Sequence, residues 1–257
     1  MSSPSINRRS LVCWAVLAAA LCTSVASAAD IYDAAVADPA RSEKEIKRDS
    51  LDHPAELLRL AGIKPGMVVA DFMAAQGYYT EILSHLVGPK GKVLMLNNAA
   101  YDNWSPGWDK RIANNRLPNV EHRTIDLNDM KLGSGTLDAI LMIKVYHDLY
   151  WVDPKGEWPK IDVPKTLDQI AKALKPGGVL LLVDHSAKPG TGATAAGPLH
   201  RIDEAYAKKD FEVRGLKEVA HSDVLRQADD KRELLTYQGP GVGKTDRFVI
   251  VFRKSGS

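Results

Sequence analysis

Apolar positions along this chain follow two alternating rhythms. Short, largely apolar runs over residues 67–72, 92–96, 137–143 and 179–184 read as buried strands, and the more polar stretch 120–125 as a further strand. Between them the apolar residues recur at helical spacing. Tyr79, Ile82, Leu83 and Leu86 mark a helix over 78–87, ended by Gly88-Pro89-Lys90-Gly91. Pro54 opens an earlier helix with Leu57, Leu58 and Leu60 on its apolar face, and 62–66 closes it. Further helices are expected within 107–115, over 164–174, closed by Lys175-Pro176-Gly177-Gly178, and over 199–213 with Ile202, Ala205, Tyr206 and Phe211 inward. Two last strands follow at 216–221 and 247–252, joined by a long polar excursion.

Strand and helix thus alternate, and the chain closes with two strands that lack a clear crossover helix. That order predicts an α/β fold: an open, mostly parallel seven-stranded sheet with an antiparallel edge strand and helices on both faces. Ligands on such sheets bind beyond the carboxyl ends of the strands, at the switch point beside the first strand. There an apolar run ends in Asp71, passes through small residues to Gly77 and enters a helix, the opening of a nucleotide-binding βαβ unit. Met73, Ala75 and Gln76 stand where further glycines are expected.

The start of the chain reads differently. Arg8 and Arg9 precede an apolar stretch over 11–21, and Ala26-Ser27-Ala28 offers a small-x-small cleavage site, so 1–28 reads as a signal peptide. The location expected from it is periplasmic or secreted, and Asn7-Arg8-Arg9-Ser10-Leu11 loosely fits a twin-arginine signal. Residues 29–52 form an N-terminal arm, rich in alanine and charge, packing over the domain with a short helix over 42–48. Residues 53–257 form one domain.

Cys13 and Cys22 both fall in the signal, which leaves the mature chain without thiol chemistry. No later stretch has the ~20 apolar residues of a membrane span. The formal charge of +2 drops to zero without Arg8 and Arg9, since no acid precedes Asp30, and nothing basic remains to argue for nucleic acid.

Several stretches together resemble the class I S-adenosylmethionine-dependent methyltransferases, and more narrowly a group of exported predicted methyltransferases. They are 62–67 (GIKPGM), Asp71 with Gly77-Tyr78-Tyr79-Thr80, Tyr146-His147-Asp148-Leu149-Tyr150-Trp151, Leu174-Lys175-Pro176-Gly177-Gly178, His200-Arg201-Ile202-Asp203 and Thr245-Asp246-Arg247-Phe248. The resemblance implies a Rossmann-like fold, S-adenosylmethionine as cofactor and a small-molecule methyl acceptor. It places the cofactor against Asp71, Ala75 and Gly77 of the loop, Asn97 after the second strand and Asp126 after the third. Tyr146, His147 and Asp148 emerge where the acceptor would sit, with the imidazole as proton acceptor and the tyrosine or carboxylate orienting it.

Other readings stand beside this one. Trp104, Trp108, Trp151 and Trp158 should gather at the ligand rim or pack the loops. Asp184 and His185, with His147 and Asp148, could form an oxygen and nitrogen metal site, although sequence separation supplies no ligand geometry, and no metal is assigned. Arg201 could bind an anionic group or pair with Asp203 or Asp246. At the level of function the alternative is a non-catalytic small-ligand-binding protein on the same fold, and a nicotinamide-dependent oxidoreductase is the weaker third.

Overall fold

Successive residues of each central strand point to opposite faces, and this alternation builds two apolar layers around one sheet. The structure, a computed structural model, describes residue 1 and residues 30–238 and 242–256. The rest of the expected signal peptide and both cysteines lie outside those residues. The strands are β1 (Val68–Phe72), β2 (Lys92–Asn97), β3 (Val120–Thr124), β4 (Leu137–Ile143), β5 (Leu174–His185), β6 (Leu216–Ser222) and β7 (Arg247–Lys254), in the spatial order β3-β2-β1-β4-β5-β7-β6. The first five pair in parallel, and β7 runs antiparallel to both β5 and β6. The seven-stranded, mostly parallel sheet is the one the sequence predicts.

The helices in chain order are α1 (Ile31–Val36), α2 (Glu43–Asp52), α3 (Pro54–Ala61), α4 (Tyr78–Val87), α5 (Ala99–Trp104), α6 (Trp108–Ile112), α7 (Val163–Ala173), α8 (Ala196–Leu199) and α9 (Glu204–Glu212). Phe72, Leu94, Leu96, Ile140 and Met142 share one buried layer with Leu167 and Ile170 of α7 and Phe211 of α9. Val69, Val93, Ala139 and Leu141 share the other with Leu57 and Leu58 of α3 and Ile82 and Leu83 of α4. Each of the larger of these side chains contributes ~1.5–3 kcal/mol on leaving water.

Local chemistry sets the helix ends. The Ser42 hydroxyl accepts from the Glu45 amide at 3.3 Å, Asp162 caps α7, and Asp203 caps α9. Gly62 stops α3 at φ 68°, a conformation glycine adopts without penalty.

The arm packs over the domain, with Ala35 buried among α3 and α4 residues. Several elements depart from the sequence reading: α1 is not expected from it, β5 begins at Leu174 and takes in the turn expected at 175–178, and two more departures lie beside the strand ends. A helix, α5, follows β2 directly, because the Asn98 side chain caps it at the Tyr101 amide. The helix expected from 199 starts only at Glu204, because Ile202 exchanges backbone hydrogen bonds with His185 and Ala187 at 2.9 and 2.8 Å. Those bonds hold residues 200–203 beside the end of β5. Among the described residues no helix is long and apolar enough to cross a membrane.

Candidate active site

The parallel register brings the carboxyl ends of β1, β4 and β5 level, and the segments leaving them enclose a cavity of about 900 Å³. Ala75 enters it from the β1–α4 loop, Tyr101 and Trp104 from α5, and Lys144, His147 and Asp148 from beyond β4. His185 and His200 come from the end of β5 and the segment after it. Trp104, Trp151 and Trp158 form one wall, with ring centroids 5.7 to 6.0 Å apart. Trp108 is not part of that wall; it stacks on His122. A flat apolar wall of this kind suits an aromatic or heterocyclic ligand.

His147 and Asp148 occupy a 3-10 turn that follows β4. His147 is held from three sides. Its Nδ1 donates to Asp184 at 2.7 Å, its backbone amide donates to the other oxygen of Asp184 at 2.8 Å, and its Nε2 lies 3.2 Å from both Asp148 and His200. Burial opposes charge on this ring, but Asp184 and Asp148 outweigh it and lift the pKa to about 10. In this arrangement the ring carries its own proton at neutral pH. Burial likewise opposes charge on Asp148, yet His147 holds that carboxyl well below its usual range. Tyr101 donates to Asp148 at 2.6 Å. His185 behaves in the opposite way, since burial pushes its pKa well down while its Nδ1 sits 2.8 Å from the Thr245 hydroxyl. Its ring is therefore neutral at neutral pH.

Tyr146 points elsewhere. It is fully buried against Phe211 and donates to Asp210 at 2.5 Å, so of the three residues proposed around the acceptor only His147 and Asp148 reach the cavity.

The five proposed cofactor residues also separate. Ala75 lines the large cavity and, with Asp71, a smaller one of about 270 Å³ above the loop; Arg48 and Ser105 line both as well. Asp71 is buried, accepts from the Thr80 hydroxyl at 2.6 Å, and has its pKa raised by burial to about 6. Gly77 opens α4 at φ 82°, and a Cβ there would lie 2.9 Å from Met95 and 3.0 Å from Arg111. Asn97 is fully buried and clasps the loop, accepting from the Ala75 amide at 2.9 Å and donating to the Ala75 carbonyl at 3.0 Å and to Asp102 at 2.9 Å. Asp126 is exposed, bonds the Asn128 amide, and lies away from both cavities.

Met73 and Ala75, standing in the place of glycines, keep the glycine-like backbone at φ 55° and 52°. The Met73 side chain is 3% exposed and packs among Phe72, Leu96 and their neighbours in the core. A methionine thus fits here because it turns inward, at the cost of a strained backbone.

The sequence reading passed over the far end of the cavity. Asp52, the last residue of α2, pairs with Arg247, with Arg48 at 2.6 Å and with Lys144 at 3.1 Å. Three cations thus meet one carboxylate. Lys144 sits at φ 61°, and burial lowers its pKa to about 8 although Asp52 opposes the shift. Its signal in the sequence is a charged residue ending the apolar run of β4. Arg201 pairs with neither Asp203 nor Asp246; it is fully buried and bound to Asp230 at 2.7 Å and to the Leu234 and Ser186 carbonyls.

No protein-family model matches this chain, and a search of curated proteins gives no match. Solved structures do match. A SAM-dependent methyltransferase from Aquifex aeolicus aligns at 22% identity and TM-score 0.58, covering 80% of this chain and 92% of that one. The 4+2 cyclase SpnF aligns at 12% identity and TM-score 0.58, covering 86% and 85%. An arsenic(III) S-adenosylmethionine methyltransferase from Chlamydomonas reinhardtii aligns at 16% identity and TM-score 0.53, covering 88% and 73%. The chain has the fold of the class I methyltransferases. A cyclase among the matches illustrates that the fold alone leaves the reaction open.

Proposed function

We propose that the protein is a methyltransferase that takes S-adenosylmethionine as methyl donor and a small molecule as acceptor. The observation that carries this reading is the cavity itself, bounded by the β1–α4 loop on one side and His147 and Asp148 on the other. The cofactor supplies an electrophilic methyl group on a sulfonium. The residues present suit its amino-acid end: Asp71 offers a carboxylate to an ammonium, and Arg48 offers a guanidinium to a carboxylate beside Ala75. Trp104 and Tyr101 offer ring faces to an adenine. His185, neutral and facing the same space, is the better placed proton acceptor, while the His147–Asp148 pair orients and the tryptophan wall excludes water.

Calorimetric titration of the purified protein with S-adenosylmethionine and with S-adenosylhomocysteine tests this, and binding of both with micromolar affinity is expected. Absence of heat at two temperatures in a folded sample would remove the reading.

The second reading, a non-catalytic protein that binds another small ligand in this cavity, has its own support. Asn97 stands where related folds often present an acid to ribose, and both its N–H donors are spent on Ala75 and Asp102. Tryptophan fluorescence that responds to small aromatic or anionic ligands, with none to S-adenosylmethionine, favours this alternative. We also propose export through residues 1–28; amino-terminal sequencing of the protein recovered outside the cytoplasm should begin at Ala29.

A further inference from the structure

Three donor atoms, two from the turn after β4 and one from the segment after β5, converge on one point of the cavity wall. His147 Nε2, Asp148 Oδ1 and His200 Nδ1 form a triangle with edges of 3.2, 3.2 and 3.3 Å. Two ligand atoms on one tetrahedral ion, each at ~2.0 Å from it, stand about 3.3 Å apart. The triangle therefore has the size of one face of such a coordination shell. The two imidazole planes are inclined at 78°, so the rings meet through their nitrogen edges and not by stacking.

The groups behind these donors are those that aim and fix a metal ligand. Asp184, fully buried, accepts the Nδ1–H of His147 at 2.7 Å, which leaves Nε2 as the ring's inward atom, whose proton the ion displaces on binding. Tyr101 binds the outer oxygen of Asp148 at 2.6 Å and leaves Oδ1 facing the histidines. His200 is held at φ 49°, a backbone that β-branched and bulky residues avoid, between the rings of Trp151 and Tyr237 at 5.5 and 4.8 Å.

We propose that His147, Asp148 and His200 bind a divalent first-row transition ion whose remaining coordination positions face the cavity. Two imidazoles and one carboxylate are a donor set for zinc or iron, while magnesium and calcium call for oxygen throughout. Three protein ligands leave a position for water or substrate, as in catalytic sites and unlike closed structural ones. This site does not depend on cofactor binding: the ion and S-adenosylmethionine are measured separately, and either can fail alone.

The test uses the purified full-length protein, stripped with chelator, dialysed and titrated with zinc chloride, with cobalt(II) absorption as an independent readout. One equivalent should bind with a Kd in the micromolar range or below, and cobalt should give visible d–d bands. His200→Asn, which tolerates the left-handed backbone, and Asp148→Asn, which keeps the tyrosine contact, should each weaken zinc at least ~10-fold, and Asp184→Asn by ~10–100-fold. His221→Gln, on the exposed end of β6, should leave binding unchanged. Binding no tighter than millimolar in folded protein overturns the proposal. So does wild-type affinity in both ligand variants, each checked as folded by near-ultraviolet circular dichroism. If either variant fails to fold, the cobalt spectrum of the wild type decides: bands with imidazole character support the site, and their absence overturns it.

Discussion

Asp184 accepts from His147 twice, through the ring Nδ1 at 2.7 Å and through the backbone amide at 2.8 Å. One buried carboxylate thus fixes both where the chain turns after β4 and how the imidazole is aimed. Removing it orphans both of these donors, takes an acceptor from the His185 amide as well, and leaves a charged ring without one of its counter-ions. Asp184→Ala should cost about 3–5 kcal/mol, whereas Asp184→Asn, which retains an acceptor, should cost under about 2 kcal/mol. Urea denaturation of both variants checks this, and a cost under about 1 kcal/mol for the alanine variant contradicts it.

The β1–α4 loop separates strain from packing. Met73 and Ala75 share nearly the same left-handed φ, but Met73 is a core residue and Ala75 contributes only a methyl group. A left-handed backbone costs a residue with a Cβ ~1–2 kcal/mol, and glycine surrenders ~0.5–1 kcal/mol of chain entropy on being fixed. Ala75→Gly should therefore stabilise by up to about 1 kcal/mol. Met73→Gly gains the same relief and loses a buried side chain worth more, so it should destabilise by about 1–3 kcal/mol. Opposite signs in denaturant midpoints are the expected outcome; like signs would show that strain is not shared.

Asp71 supplies a pH signature. Its native pKa, raised by burial to about 6, lies above the unfolded value of about 3.9. A carboxyl shifted in this direction contributes fully below the unfolded pKa, and the contribution fades as pH rises from about 4 through 6. Asp71→Asn lacks that loss. Relative to wild type it should gain ~1–3 kcal/mol between pH 4 and pH 7, read from denaturation at the two values. A parallel pH profile for the two proteins would contradict it.

The central strands were legible because the core of β5 is an unbroken apolar run and β4 is one but for Asp138, and α4 because Gly77 and Gly88 bracket a helical period. His147 and Asp148 were legible by position, since whatever leaves the end of β4 must meet a ligand bound at the strand ends. The loop and strand-end residues were harder. Their places follow from topology, but whether Asn97 faces a ligand or clasps Ala75 depends on a contact 22 residues away. His200 reaches His147 only because Ile202 pairs with His185 and Ala187 beside β5, a backbone contact with no periodic signature. Asp52 and Arg247 meet across 195 positions, and nothing local in the sequence announces it.

That last network leads to a prediction about Lys144. Burial lowers its pKa to about 8, below the unfolded value of about 10.4, and the Asp52 carboxylate 3.1 Å away is what keeps it from falling further. A lysine depressed in this way is a burden while charged; the penalty is present below pH 8 and disappears as pH climbs from 8 past the unfolded value. Lys144→Met removes the burden, so its advantage over wild type should shrink across that interval. With a quarter of the side chain exposed, solvent screening keeps the change to about 1–2 kcal/mol. Competitive acetylation gives the pKa directly. Lys144 should titrate near 8, and Asp52→Asn, by removing the carboxylate, should lower that midpoint by about one unit or more. A midpoint near 10 in the wild type, or one unmoved in Asp52→Asn, would contradict the coupling and would leave the charged end of the cavity set by Arg48 and Arg247 alone.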